Sequence, residues 1–286
     1  MKISKFKSSD IKASSNYNKI IKSFNKTGVI IIENVLTKEK CLKYKSLLEK
    51  DYKKYSNLTK KIKIQKHSGS MGAKVVTNLH NKNHQYLNLL DNKKIISLIE
   101  KILQQGSYME KDPIICQAFT ARSPLSGSGE QQLHNDSRIV GSKYPVVVQA
   151  MWVLDEFTKN NGSTNFLLGS QNYLSFPKNN KRYSNLTIAT SKPGSVILFN
   201  GATWHGGSKP KKKFHTRWSI ICRYARWFLK PSFNFHKNTP IKTFNKMNNK
   251  QKDLLGFRYA PPIDEFNNYG SIQKKYTKPE KYKLPR

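Results

Sequence analysis

The sequence predicts a mainly β protein with flanking helices, and three observations carry that prediction. From about Pro113 onward, short β-rich runs alternate with clusters of Gly, Pro, Ser and Asn. The first hundred residues instead hold two amphipathic stretches with apolar residues at helical spacing. No obvious linker divides the chain, so its 286 residues read as one domain at the upper end of single-domain size. Several short strands joined by turns suit a sandwich, a jelly roll or a barrel, with the helices covering one outer face.

The elements follow in order. Gly28-Val29-Ile30-Ile31-Ile32-Glu33-Asn34 is a β-branched run that reads as a buried strand. Thr37 offers an N-cap, after which Cys41, Tyr44, Leu48, Tyr52 and Tyr55 recur at helical spacing. From Leu87 to Leu103 a second apolar pattern, with Ile95, Ile96, Leu98, Ile99 and Ile102, predicts another helix. Strands are expected at 114–120, 146–154, 163–168, 196–199 and 218–224. This divides the domain into a helix-rich part (24–112), a β core (113–230) and a C-terminal extension (242–286). The extension is rich in Lys, Asn and Pro, and its end, QKKYTKPEKYKLPR, reads as a solvated, mobile tail.

Composition excludes several classes. A hydrophobic content of 37%, with 14 Tyr, 14 Phe and 4 Trp, argues against disorder. No apolar run is long enough to span a bilayer, and MKISKFKSSDIK lacks the apolar stretch of a signal peptide, so a soluble cytoplasmic protein is expected. Cys41, Cys116 and Cys222 are odd in number and far apart, which argues against a disulfide framework or a zinc site. The formal charge of +35 raises the question of a polyanion partner. Lysine is spread along the whole chain beside abundant asparagine, however, and no zinc-finger spacing, RNP-like box or basic zipper is present. No specific nucleic-acid partner is expected, although a polyanion-binding protein on an enzyme-like scaffold is the competing reading.

Four residues carry the chemistry. His134 and Asp136 lie in QQLHNDSR, after the flexible Ser126-Gly127-Ser128-Gly129. In an extended segment, alternation sends both side chains to one face. An isolated H-x-D is weak alone, but His205 follows in GATWHGGS, just after a strand, with small neighbours that let backbone or a ligand come close. Two imidazoles and one carboxylate suit an open-sided ferrous site. Arg217, in FHTRWSI, begins an apolar strand, where a buried guanidinium calls for an anionic partner such as a dicarboxylate.

These segments also resemble the phytanoyl-CoA dioxygenase family of Fe(II)- and 2-oxoglutarate-dependent oxygenases. GVIIIENVLTKEKCLKY is similar to the family's opening strand and helix, and VVTNLHNKNHQYLNLLDNKKIISLIEKIL to the stretch before its barrel. VVQAMWVLDEFTKNNGSTNFLLGSQ, PGSVILFNGATWHGGS and TRWSIICRY resemble its later strands, from about residue 24 to 270 in all. The resemblance implies a double-stranded β-helix, or jelly roll, with iron held by His134, Asp136 and His205. It implies that Arg217 binds the distal carboxylate of 2-oxoglutarate, that Trp152 lines the co-substrate pocket, and that Gln117 donates a hydrogen bond there. Dioxygen would take the last open site, and a small organic molecule would be oxidised as succinate and CO2 leave. Halogenating relatives lack the carboxylate ligand, so Asp136 favours hydroxylation. The residue between His134 and Asp136, Asn135, departs from the family's usual choice but faces away from the iron. A cupin-type metalloenzyme that does not use 2-oxoglutarate is the alternative within this fold. Lys66, Lys74, Arg122 and Arg138 read as solvated surface charges; at the mouth of the pocket they would favour an anionic substrate.

Overall fold

The computed structural model describes residues 1–12, 14–61, 72–108, 112–258 and 276–279. In chain order the strands are β1 (Ser4–Lys7), β2 (Val29–Glu33), β3 (Ala73–Thr77), β4 (Ile114–Pro124), β5 (Val147–Val153), β6 (Thr164–Phe166), β7 (Thr187–Ile188), β8 (Val196–Asn200), β9 (His205–Gly207) and β10 (Ser219–Arg226). The helices are α1 (Ser14–Thr27), α2 (Lys38–Lys61), α3 (Leu87–Leu90), α4 (Lys93–Leu103), α5 (Phe235–Asn238), α6 (Ile241–Lys246) and α7 (Asn249–Leu254). Sequence explains the boundaries locally. Thr37 Oγ1 accepts from the Lys40 amide at 3.4 Å and starts α2. Gly28 takes φ +75° between α1 and β2, a turn that L side chains rarely make.

A seven-stranded sheet, in the order β1-β2-β8-β5-β10-β4-β3, faces a three-stranded sheet, β7-β6-β9. β1 and β2 pair in parallel and the remaining ladders are antiparallel. Strand alternation divides the large sheet into two apolar faces. Ile30, Ile32, Ala150, Trp152, Leu198, Ile220, Cys222 and Tyr224 face the helices, where they meet Phe24, Leu48, Ile95 and Ile99. Val29, Ile31, Met151, Val153, Ile197 and Phe199 face the small sheet, where they meet Phe166, Leu168 and Ala189. This sandwich is a jelly roll, mainly β with helices on one face, as expected. The site lies between the two sheets.

Three local features differ from the sequence reading. The single helix expected over 87–103 is two, because the chain turns at Asp91 and restarts at Asn92, whose side chain accepts from the Ile95 amide at 3.4 Å. Strands β1, β3, β7 and β9 and helix α1 join the elements read from the pattern. The start of the C-terminal extension belongs to the core: Phe244, Met247, Leu254, Leu255 and Phe257 are buried in the helix-side cluster. The expected mobile tail lies largely outside the described residues. Among the described residues, no helix is long and apolar enough to cross a membrane.

Candidate metal centre

His134 and His205 are placed by one antiparallel bridge between the small sheet and the loop before β5. The His134 amide donates to the His205 carbonyl at 2.9 Å, and the His205 amide returns a bond to His134 at 3.1 Å. The glycines after His205 make this approach possible. A Cβ on Gly206 would stand 2.5 Å from the Gln131 carbonyl oxygen, which ordinary packing forbids. The Asp136 amide donates to the Gly201 carbonyl at 2.8 Å, so both ends of the H-x-D segment hang from the loop that carries His205. Side chains of His134, Asp136 and His205 converge, with one ligand atom of each lying within 4.8 Å of the others. His205 is buried, its ring edge-on to Phe199 at 4.8 Å and 5.9 Å from Phe166.

Hydrogen bonding selects which nitrogen of each ring is free. His205 Nδ1 lies 2.8 Å from the Thr203 carbonyl and His134 Nδ1 lies 3.2 Å from that of Gln132. A carbonyl only accepts, so each Nδ1 carries the proton and each Nε2 is left for another partner. Both Nε2 atoms turn to Asp136: that of His205 is 3.2 Å from Oδ2 and that of His134 is 3.8 Å from Oδ1. Burial, with the neighbouring His205, lowers the His134 imidazole to about 4 despite the opposing pull of Asp136, so it is neutral at physiological pH. Burial alone would raise the Asp136 carboxyl, but the adjoining His205 ring, Arg223 and His134 together hold it well below the usual carboxylate range. A carboxylate and two imidazoles whose Nε2 atoms converge on it fit a divalent cation.

Two groups that the sequence reading did not single out hold Asp136. Arg223 Nη2 donates to Oδ1 at 2.9 Å, and Gln149 Nε2 donates to Oδ2. Both lie on the inner face, at one register position of β10 and β5. Period-two alternation could have found them: Gln149 is a lone polar residue in the apolar run VVVQAMWVL, and Arg223 interrupts SIICRYA.

Arg217 lies just before β10, its amide donating to Ser123 Oγ at 2.9 Å. It is buried, with the guanidinium 4.1 Å above the Phe157 ring. Its Nε and Nη1 are buried with no hydrogen-bond partner. Burial and the nearby Arg122 lower its pKa to about 9, with Asp155 opposing. An orphaned guanidinium in a closed site fits a carboxylate, which would supply a missing acceptor and the missing charge.

Two expected pocket residues are elsewhere. Trp152 is fully buried in the helix-side core, opposite Ile220 and Val196, so its side chain leaves the sheet on the far side from Gln149 and Met151. A run in which both faces are apolar conceals which residue points in, and the inner position beside it is Met151. Gln117 is the extra residue of a bulge in β4, skipped where Arg223 pairs Ala118 and Tyr224 pairs Cys116. Its amide donates to the Lys230 carbonyl at 3.1 Å, in the segment after β10, and not to any group of the site. Of the four outlying cations, Lys74 pairs with Glu49 of α2 at 3.1 Å, Arg138 is exposed, and Lys66 lies outside the described residues. Arg122 is the exception to the surface reading: it alternates with the helix-facing Ala121 and therefore points inward.

Fold and site together define a jelly-roll protein with a two-histidine, one-carboxylate metal centre. Residues 24–212 match the family described as phytanoyl-CoA dioxygenase, and the chain belongs to that family. Curated relatives include "Dioxygenase af480" of Aspergillus fumigatus, 21% identical over 52% of this chain and 49% of its own length. The uncharacterized protein Rv1501 of Mycobacterium tuberculosis is 21% identical over 63% and 67%. The chain thus spans about half the length of the first relative and two thirds of the second. Among solved structures, HygX from Streptomyces hygroscopicus, with nickel, 2-oxoglutarate and hygromycin B bound, aligns with a TM-score of 0.60 at 16% identity, over 76% of this chain and 89% of its own. SnoN, a non-heme alpha-ketoglutarate-dependent epimerase from nogalamycin biosynthesis, aligns at 0.58 and 13% identity, over 77% and 87%. These structures share the fold.

Proposed function

We propose that this protein is an Fe(II)- and 2-oxoglutarate-dependent dioxygenase that hydroxylates a small organic molecule. The observation that carries this is the pairing of a metal triad with a buried arginine that lacks acceptors on the same inner face. His134 Nε2, His205 Nε2 and an Asp136 oxygen would hold the iron on one side, leaving the other open. When bound, iron and 2-oxoglutarate supply the oxidising power, with succinate and CO2 as by-products; the protein supplies position and environment.

Thr203 and Gln132 orient the two rings through their carbonyls, so that each Nε2 is turned toward the metal position. Arg223 and Gln149 hold Asp136 so that the carboxylate cannot swing away. Arg217, backed by Phe157, binds and orients the far carboxylate of the co-substrate. Burial excludes water from that end, which strengthens the charge pairing. HygX, crystallised with nickel and 2-oxoglutarate, and the family's dioxygenase-named members support this reading. Asp136 supports hydroxylation among the reactions open to such a site, because a halide would need its place.

Equilibrium binding tests the co-substrate role. Arg217→Ala should weaken 2-oxoglutarate binding by about tenfold or more while metal affinity stays unchanged, since a charge-assisted pair contributes about 1.5–3 kcal/mol. Unchanged 2-oxoglutarate affinity would favour a cupin-type enzyme that does not use it. Incorporation of 18O from O2 into product, against product formed without it, separates hydroxylation from epimerisation or desaturation.

A further inference from the structure

Strand alternation puts arginines other than Arg217 on the inner face of the large sheet. Arg122 of β4 stands opposite Ser219 and Val75, and Arg223 of β10 stands opposite Gln149 and Ala118. Ala121 before Arg122, and Cys222 and Tyr224 around Arg223, all face the helices, which fixes both arginines on the other side. Neither is fully closed in: Arg122 is half-buried, and the Arg223 side chain keeps 24% of its exposure beside 17% for Asp136. Arg122 senses both ends of the site. Burial lowers its pKa while Asp136 raises it, and it in turn depresses Arg217.

A charge balance follows, and it rests on the proposed co-substrate and metal. Arg217 is matched by the far carboxylate of 2-oxoglutarate, and a divalent metal by Asp136 together with the near carboxylate. Asp136 is then shared, because Arg223 also leans on it. The Arg223 Nε is buried without a hydrogen-bond partner, and no hydrogen bond or ion pair is formed by the Arg122 guanidinium among the described residues. With metal and co-substrate in place, the inner face keeps a surplus of about two positive charges in a partly desolvated setting, which is costly without counter-charge.

We infer that the primary substrate is a small oxyanion, a carboxylate or phosphate ester, whose anionic group is seated by Arg122 with Arg223 beside the metal. Arginine forks suit both groups, and the site would select acids over their neutral amides. Anchoring one end on these arginines would leave the rest of the molecule to present a C–H bond toward the open side of the metal.

Nuclear relaxation next to a paramagnetic ion tests this without knowledge of the true substrate, and ignores anions gathered by the +35 surface. Protein loaded with Mn(II) and 2-oxoglutarate is titrated with acetate (1H), inorganic phosphate (31P) and the neutral control acetamide. Acetate or phosphate should show saturable relaxation enhancement, acetamide none, and whichever anion binds tighter assigns the group. Arg122→Gln should weaken that anion by about tenfold, the loss expected for one charge-assisted contact, while Arg122→Lys restores part of it. Affinity for 2-oxoglutarate, measured separately, should change less than twofold in both variants, which also shows that they fold. Equal binding of acetamide, no enhancement by either anion, or anion binding indifferent to Arg122→Gln would each overturn the inference. So would weaker 2-oxoglutarate binding in Arg122→Gln, which would assign Arg122 to the co-substrate. If wild-type protein takes up no 2-oxoglutarate, the proposed function itself fails, and the separate titration distinguishes that result.

Discussion

Asp136 is the residue on which the centre turns, because it meets both histidines, Arg223 and Gln149 at once. Removing a group that orients a metal ligand commonly costs about 10–100-fold in metal affinity. Gln149→Leu should therefore weaken metal binding by about tenfold, measured by chelator competition, with the thermal midpoint nearly unchanged because leucine suits the neighbouring apolar positions. An unchanged metal affinity would show that Arg223 alone suffices. At this scale the sequence was legible where side-chain chemistry is rare and costly: His134, Asp136, His205 and Arg217 stand out by type, the first three converge, and Arg217 is buried without an acceptor. Trp152 was not legible, since every residue of β5 is buried and a one-residue ambiguity in facing moves a side chain to the opposite layer. Gln117 was lost to a bulge, which nothing in IICQAFTARS announces.

Among the elements, the turn from α1 into β2 braces the loop that presents His205. The Gly28 carbonyl accepts from the Asn200 amide at 2.9 Å and from Thr203 Oγ1 at 3.3 Å, and Thr203 in turn fixes the His205 ring. A Cβ at Gly28 would lie 2.1 Å from Thr203 Oγ1, at a positive φ that alanine tolerates poorly. Gly28→Ala should destabilise the protein by about 1–3 kcal/mol in urea unfolding and weaken metal binding through the displaced loop. Full stability in that variant would argue against the brace. Periodicity revealed β2, α2, α4 and the long strands, because each carries a sustained apolar face. β9 and β7, at three residues or fewer, are too short to show a period, and their pairing is set by distant partners. α1 was legible in principle: Tyr17, Ile20, Ile21 and Phe24 follow helical spacing, and Ile20 and Phe24 are fully buried.

On the scale of the molecule, His80 ties the C-terminal segment to the body. Its Nε2 lies 2.9 Å from Asn238 Oδ1, and its ring meets Phe235 edge-on at 4.9 Å. Burial depresses its pKa from 6.5 to about 3, with Asn238 only partly opposing. Above about pH 6.5 neither folded nor unfolded chain is protonated there, so His80 adds no pH dependence. Below that value the unfolded chain takes up the proton first, so stability falls as pH drops toward 3, by at most about 1.4 kcal/mol per unit from this group. Urea midpoints of metal-free protein at pH 7 and pH 5 should therefore converge in His80→Gln relative to wild type; an equal pH response in both would remove His80 from the account. The distribution of helices on one face was legible from the order of the segments, with helical periodicity in the first hundred residues and short β-rich runs after Pro113. The role of residues 235–257 as core was not, because their apolar residues sit among Lys and Asn in short helices with little period.

The most direct test of the central claim is anaerobic optical titration of the purified protein with Fe(II) and then 2-oxoglutarate. A weak visible charge-transfer band should appear only when both are present, with one equivalent of iron, and should vanish in His205→Ala. Absence of the band in wild-type protein, or its persistence in His205→Ala, would contradict an iron centre built from His134, Asp136 and His205.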